Sequence, residues 1–110
     1  MKYRSLKKEK DFQRVFQQGK KINCPELTLI FLPGQNNSTN QVAIITSKAY
    51  FRKATQRNLI KRRLKAILRQ INLAKNGLDI IIIAKTPLLT KKFEDLKIVV
   101  ESIFQKAKLS

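Results

Sequence analysis

The chain has 110 residues, and 24 Lys and Arg against 7 Asp and Glu give it a net charge of +17. This length predicts a single domain over residues 1–110, because domains cluster at about 100–150 residues. No apolar run approaches the roughly 20 residues that a helix needs to cross a bilayer. The absence of histidine excludes Ser-His-Asp and Cys-His catalysis and imidazole metal sites.

The first predicted element is a helix from Leu6 to Gln18. Apolar side chains recur at i, i+3 and i+4 from Phe12 onward, as on one face of a helix. We expect Ser5 to cap the start of this helix and Gly19 to end it.

Two short strands are predicted next. Leu27 to Leu32 is apolar almost throughout and is followed by Pro33-Gly34, and Val42 to Thr46 is rich in β-branched residues. The polar stretch from Gln35 to Asn40 separates them, which predicts a mobile hairpin connection.

The segment from Ser47 to Asn76 predicts a long amphipathic helix with a core face and a cationic face. Its apolar residues follow the spacing i, i+4, i+7, i+8 and i+11, which forms one stripe on a helical wheel. We expect Thr55 to cap its start and Gly77 to end it. The stripe consists of Ile60, Leu64, Ile67, Leu68 and Ile71, and the opposite side carries Asn58, Lys61, Arg62, Lys65 and Arg69.

The last part of the chain predicts a buried strand and a final helix. Asp79 to Lys85 contains four consecutive isoleucines, which is typical of a strand that is buried on both sides. Pro87 breaks the chain, and Thr90 is expected to cap a helix whose apolar stripe runs from Phe93 to Phe104. The order α-β-β-α-β-α, with one β-α-β crossover, predicts a single α+β sandwich with a small central sheet.

The basic residues are concentrated in the middle of the chain. No Asp or Glu occurs from Leu27 to Gly77, and a like-charged block of this size repels itself unless a polyanion neutralises it. A structured RNA fits better than a membrane or a DNA groove, because arginine presents a planar fork to phosphates and Asn58 can bind a base edge. A highly soluble basic surface without a ligand is the alternative. The basic residues are Lys48, Arg52, Lys53, Arg57, Lys61, Arg62, Arg63, Lys65, Arg69 and Lys75.

The sequence argues against an enzyme that acts by itself. Its carboxylates do not form a pattern that resembles a two-metal nuclease, and Cys24 is the only cysteine, which rules out an internal disulfide. The charged N-terminus contains no apolar stretch of signal-peptide length, so we expect a cytoplasmic protein.

The run from Lys53 to Lys65, KATQRNLIKRRLK, resembles the RNR motif of the bacterial ribonuclease P protein family, which reads roughly A-x-x-R-N-R-x-K-R. Leu59 departs from the motif, because the family usually has a second arginine there. Leu59 lies beside the apolar stripe, so it removes one contact without disrupting the cationic face. The matching residues are Arg57, Asn58, Ile60, Lys61 and Arg62.

Three further blocks resemble the same family in the same order, so that the resemblance covers nearly the whole chain. They correspond to the family's opening helix, to the strand end before its basic segment and to its last strand. These blocks are Leu6 to Lys8 with Asp11 to Phe16 and Gly19-Lys20, then Thr46 to Lys48, and then Asp79 to Lys85 followed by Pro87.

The resemblance implies the family's fold, in which the crossover between the Val42 and Asp79 strands is left-handed, as in ribosomal protein S5 domain 2. The general rule alone predicts the opposite hand, because about 98% of such connections are right-handed. The resemblance also implies a function: the chain is the protein subunit of ribonuclease P, which cuts the 5′ leader from precursor tRNA. The catalytic centre and its magnesium ions then belong to an RNA subunit. We expect the protein to bind that RNA and precursor tRNA, and to have no catalytic residue, metal site, bound cofactor, membrane contact or obligate protein partner of its own.

Roles follow from matching positions in the family. The cationic face is expected to dock on the catalytic RNA near the cleavage site, and the groove between the first helix and the central sheet is expected to hold the leader. The residues expected on the catalytic RNA are Arg52, Lys53, Arg57, Asn58, Lys61, Arg62 and Lys65, and those expected on the leader are Phe12, Phe16 and Lys48.

The leader residues have alternative interpretations. Phe12 and Phe16 either stack on unpaired bases or pack in the core, and Lys48 either neutralises a leader phosphate or is a solvated lysine. Ile30 replaces a tyrosine that is common in the family, which removes one stacking contact. A ribosomal-protein-like module that binds structured RNA without a role in cleavage also stays open, because ribosomal proteins share this size and charge.

Overall fold

A computed structural model of the chain describes residues 1–34, 39–74 and 76–109. It contains three α-helices and one five-stranded mixed sheet, which confirms the predicted α+β class. The strands are β1 (Tyr3–Ser5), β2 (Lys20–Asn23), β3 (Leu27–Pro33), β4 (Asn40–Ile45) and β5 (Leu78–Ala84), and the helices are α1 (Glu9–Gln18), α2 (Ala54–Gln70) and α3 (Phe93–Lys106), with a short 3₁₀ helix at Thr86–Thr90.

The strands lie in the order β1-β4-β5-β3-β2. β1 runs parallel to β4 and β4 runs parallel to β5, whereas β3 is antiparallel to both β5 and β2. Helix α2 therefore connects two hydrogen-bonded parallel neighbours, which confirms the predicted β-α-β unit. The left hand of this crossover and the likeness to ribosomal protein S5 stay predictions. The predicted hairpin between β3 and β4 is wrong, because β5 lies between these two strands in the sheet and pairs with both. Residues 35–38 of the predicted connection lie outside the described residues, as does Lys75.

Two strands and the start of α1 differ from the sequence-based prediction. β1 and β2 were not predicted, because both are short, polar and located at the edges of the sheet. Ser5 does not cap α1 but ends β1, and Lys8 occupies the N-cap position. The physical reason is that Leu6 is buried and its N–H donates to the carbonyl of Val42 at 3.0 Å, which extends the strand pairing and keeps this residue out of the helix.

The predicted caps of α2 were also wrong. Thr55 lies inside α2, and Lys53 is the N-cap residue, whose N–H donates to the side-chain oxygen of Gln56 at 3.3 Å. At the other end α2 stops at Gln70 rather than at Gly77: Ile71 is the C-cap residue and has an extended backbone, and the N–H of Ala74 donates to the carbonyl of Leu109 at 2.8 Å.

Thr90, the predicted cap of the last helix, ends the 3₁₀ helix instead, and Lys92 precedes α3. Pro87 lies in the first turn of that 3₁₀ helix, where its missing N–H is not needed for a helical hydrogen bond.

The core consists of two apolar clusters, one on each face of the sheet. Helices α2 and α3 cover one face, and α1 covers part of the other. The central strand β5 supplies both clusters: Ile80 and Ile82 face α2 and α3, whereas Ile81 faces α1 together with Val15 and Ile30. The predicted burial of this strand on both sides is thus confirmed.

Gly19 ends α1 as predicted, and its small size is what allows the chain to turn there. A Cβ at this position would collide with the carbonyl oxygen of Val15 and would lie 2.9 Å from Cγ2 of Ile30. Any other residue would push α1 away from the sheet.

A buried ion pair fixes α1 to the sheet. The Arg14 guanidinium donates to the carboxylate of Asp79 at the start of β5 and to the carbonyl of Pro33, 3.1 Å away, at the end of β3. The Arg14 and Asp79 side chains are only 14% and 3% exposed. Burial raises the pKa of Asp79 above its ordinary value of 3.8, while the charge and hydrogen bond of Arg14 oppose that shift and the charge of Asp11 adds to it.

We predict that Arg14→Met lowers the free energy of unfolding by about 3 kcal/mol at neutral pH, because it leaves a buried carboxylate without its partner. Since the native pKa of Asp79 is raised, the carboxyl becomes neutral as the pH falls through that value, and the deficit should shrink there. Urea denaturation at neutral and acidic pH measures both effects.

The control for this prediction is Asp11→Asn. Asp11 also approaches Arg14, at 4.0 Å, but its side chain is more exposed, at 24%, so its removal should cost about 1 kcal/mol or less. Equal losses in the two variants, or a deficit that does not depend on pH, would contradict the role assigned to the Arg14–Asp79 pair.

Candidate RNA interface

The two sides of α2 have opposite chemistry. Ile60, Leu64, Ile67 and Leu68 are fully buried against the sheet and α3, so the residues on the other side of the helix must face solvent. The residues expected on the catalytic RNA lie there or in the loop before α2. Arg52, Lys53, Asn58, Arg62 and Lys65 are exposed, and Arg57 and Lys61 are half-buried.

Arg57 has a structural role that the sequence did not reveal. Its Nη1 donates to the carbonyls of Phe51, at 2.8 Å, and of Arg52, at 3.1 Å. Phe51 is itself almost completely buried and its N–H donates to the carbonyl of Ser47 at 2.9 Å. Arg57 therefore holds the loop that presents Arg52 and Lys53, while the remaining N–H donors of its guanidinium can still bind a phosphate.

A shallow groove runs along the exposed side of α2. Its volume is about 380 Å³, and it is lined by Asn58, Lys61, Arg62, Lys65, Ala66 and Arg69. None of these residues is acidic, so the groove favours an anionic ligand.

A second concave surface, the β4-edge cleft, opens where β1 ends. The last Cα pair of β1 with β4 joins Ser5 to Val42, and the next residues of β4 are half-buried at the edge of the sheet. The cleft has a volume of about 250 Å³ and lies between α1 on one side and α2 on the other. It is lined by Tyr3, Ser5, Leu6, Phe12, Val42, Ala43, Ile44, Ile45, Lys61 and Lys65.

The three residues expected on the leader do not lie in one concave surface. Phe12 is half-buried: it packs against the α1 cluster and also lines the β4-edge cleft. Phe16 is 45% exposed, so core packing is not its role. Lys48 is exposed as well, but neither Phe16 nor Lys48 is among the residues that line the cleft. Ile30, at the position of the family's tyrosine, is fully buried beneath α1 and cannot stack on a base.

The structure also brings in residues that the sequence did not single out. Tyr3 lies beside α2, with its hydroxyl donating to the carbonyl of Lys65 at 3.3 Å. Burial raises the pKa of the Tyr3 phenol, and the positive charge of Arg69 opposes that shift. The only sequence signal for this region is the basic N-terminal segment, which predicts charge but not a strand.

Two other kinds of site are absent from the described residues. Within residues 1–34, 39–74 and 76–109, no group of three or more His, Cys, Asp or Glu side chains is placed to hold a metal ion. No helix in these ranges is long and apolar enough to span a membrane.

A family model and the sequences of known proteins match this chain to the same family. A family model described as Ribonuclease P matches residues 1–108. The ribonuclease P protein component of Pseudanabaena sp. (strain PCC 6903) is 30% identical over 105 residues, which cover 94% of this chain and 90% of that protein. The corresponding protein of Synechococcus sp. (strain JA-2-3B'a(2-13)) is 33% identical over 109 residues, covering 94% and 81%.

Solved structures show the same fold. The Staphylococcus aureus RNase P protein superposes with a TM-score of 0.84 at 24% identity and covers 98% of each chain. The RNase P protein from Thermotoga maritima gives a TM-score of 0.78 at 22% identity and covers 93% of this chain and 96% of that one. With a family match over nearly the whole sequence, the chain belongs to the ribonuclease P protein component family, the protein subunit of an endoribonuclease whose RNA is catalytic.

Proposed function

We propose that this chain promotes 5′ maturation of tRNA by binding two RNAs on neighbouring surfaces. The basic side of α2 and the loop before it bind the catalytic RNA, and the side of the sheet next to α1 binds the leader of precursor tRNA. The observation that carries the proposal is the separation of apolar and basic residues on α2. The apolar stripe is fully buried, and the groove on the solvent-exposed side of the helix contains no carboxylate.

The contact with the catalytic RNA is mainly electrostatic. Lys65 lies four residues after Lys61 and three after Arg62, and all three line the groove along α2, so their charges reach one surface. Arg52 and Lys53 extend this surface into the loop that Arg57 holds. Arginine and lysine that neutralise phosphates release counterions, which makes the affinity strongly dependent on salt.

The contact with the leader depends on aromatic side chains beside basic ones. Phe16 exposes its ring on α1, and Phe12 forms one wall of the β4-edge cleft opposite Lys61 and Lys65. Unpaired bases stack on such rings, and neighbouring cations hold the backbone. Lys48, exposed beyond the end of β4, adds a charge for a leader phosphate.

We further propose that magnesium and the cleavage chemistry belong to the RNA subunit and that the complex acts in the cytoplasm without an obligate protein partner. A ribosomal-protein-like role without cleavage is not favoured, since the proteins that this chain is similar to are ribonuclease P protein components.

The first prediction from this proposed function concerns the division of labour between the protein and the RNA. The isolated protein should not cleave precursor tRNA, whereas adding the catalytic RNA at low magnesium should give 5′ maturation. The measurement is the appearance of mature tRNA and free leader on a denaturing gel. Robust cleavage by protein that has been freed of RNA would refute the proposal.

The second prediction concerns salt. If the basic face meets about five phosphates, the logarithm of the association constant for the catalytic RNA should fall with the logarithm of salt at a slope of roughly −3.5 to −4.5. Lys61→Ala and Arg62→Ala should each flatten this slope by about one unit. Lys106→Ala, an exposed residue in the last turn of α3, is the matched control and should leave the slope unchanged. If all three variants behave like the unmodified protein, the basic side of α2 does not reach phosphate.

The third prediction separates the two RNA contacts. Phe16→Leu should weaken binding of precursor tRNA by roughly 5- to 150-fold, because base stacking on an aromatic ring is worth about 1–3 kcal/mol. Mature tRNA and the catalytic RNA should bind as before. Arg62→Ala should do the reverse and lower affinity for the catalytic RNA whichever tRNA is present.

The matched control for Phe16→Leu is Phe93→Leu. Phe93 is a half-buried aromatic residue of α3, which covers the opposite face of the sheet. Loss of affinity for all RNA ligands in Phe16→Leu, or an equal loss for precursor tRNA in Phe93→Leu, would argue against a leader contact at Phe16.

A further inference from the structure

A third concave surface, here called the β1–α2 groove, lies beside the two already described. It has a volume of about 540 Å³ and is lined by Met1, Lys2, Tyr3, Ser5, Lys65 and Arg69. It is larger than the β4-edge cleft or the groove along α2, and its lining includes three side-chain cations and no carboxylate. A groove of this composition favours a polyanion.

The three concave surfaces adjoin one another. Lys65 lines all of them, Tyr3 and Ser5 are shared by the β4-edge cleft and the β1–α2 groove, and Arg69 is shared by the β1–α2 groove and the groove along α2. A ligand that occupies the β4-edge cleft can therefore continue into the β1–α2 groove by passing Lys65.

The walls of this path are held in place. The hydroxyl of Tyr3 donates to the carbonyl of Lys65, which ties β1 to α2. On its other side β1 pairs with β4 over its full length. The path is therefore formed before any ligand binds.

The character of the walls changes along the path. The β4-edge cleft has the ring of Phe12 and the aliphatic side chains of Ala43 and Ile45 in its walls, which suits bases. The β1–α2 groove is basic, which suits phosphates.

We propose that the β1–α2 groove is a binding site for the phosphate backbone of single-stranded RNA, and that it extends the path of the leader strand from the β4-edge cleft to Arg69 and Lys2. This inference rests on the proposed function for the identity of the strand. It places Lys65 at the boundary between the two RNAs, instead of on the catalytic RNA alone.

A single strand fits this path better than a folded RNA does. An A-form helix presents a wide, shallow minor groove and is recognised largely by its shape, so it requires a broad basic surface rather than a path that one strand can follow. A narrow path with an aromatic wall at one end and cations at the other is typical of single-strand sites.

The test is the binding of single-stranded RNA oligonucleotides of increasing length to the full-length protein at several salt concentrations. The variant is Lys2→Gln combined with Arg69→Gln, since both side chains are exposed and their removal does not disturb the core. For long oligonucleotides, the slope of log affinity against log salt should become shallower by about 0.7 for each phosphate that is no longer neutralised, or about 1.4 in total. For oligonucleotides too short to leave the β4-edge cleft, it should not change.

The matched control is Lys106→Gln. Lys106 is an exposed cation in the last turn of α3, as Arg69 is in the last turn of α2, and its replacement should leave both slopes unchanged. An unaltered slope for long oligonucleotides in the double variant, or an equal change for short ones, overturns the inference.

A second measurement identifies the strand. Affinity of the single variant Lys2→Gln for the catalytic RNA should equal that of the unmodified protein, because Lys2 lines the β1–α2 groove but not the groove along α2. If this affinity falls while binding of oligonucleotides is unchanged, the groove is occupied by the catalytic RNA and the inference is wrong. The cleavage assay tests the proposed function separately, because oligonucleotide binding requires no catalytic RNA.

Discussion

The fold depends on the burial of β5 on both of its faces. This strand is central in the sheet, and its consecutive isoleucines point alternately to α1 on one side and to α2 and α3 on the other. A strand of this kind requires a helix layer on each side, and that requirement fixes which face of each helix turns inward. The apolar stripe of α2 packs against the sheet in this contact, so the cations on the other side of α2 lie at the surface. The cationic surface of α2 is therefore a consequence of how the core is built.

The helices cover one face of the sheet more completely than the other, and the concave surfaces form where the sheet is left uncovered. Helix α1 is short and covers only part of its face, with Gly19 and the Arg14–Asp79 pair holding it close to β3 and β5. β1 is shorter still and leaves part of the β4 edge uncovered. The uncovered edge, bounded by Phe12 and by the cations of α2, is where the β4-edge cleft forms. Small shifts of α1 therefore change the β4-edge cleft more than they change the rest of the fold.

Charge sets the energetic relation between this protein and its partner. A net charge of +17 on 110 residues disfavours the compact state through self-repulsion, and an RNA that binds the folded chain both removes that repulsion and stabilises the fold by mass action. The structure also shows that the cations of α2 have different roles. Arg57 organises the loop before α2 through two backbone carbonyls, whereas Arg62 is exposed on the helix. Replacing Arg57 therefore changes the geometry of its neighbours as well as the charge.

The sequence by itself determined the three helices, the three apolar strands and the cationic side of α2, because each is encoded in the periodicity of a single segment. The RNR-like motif and its flanking blocks also indicated the family, which the comparisons then showed. Only the tertiary structure decided the rest. The edge strands β1 and β2 have no periodic signal and exist because β4 and β3 offer them hydrogen-bonding partners. Phe12 and Phe16 occupy the same face of α1 by spacing, yet Phe12 packs against the α1 cluster whereas Phe16 is 45% exposed, because burial depends on which residues of other elements lie beneath each position. The position of Lys65 between three concave surfaces likewise results from β1 docking beside α2, a contact between residues about 60 positions apart that no local pattern encodes.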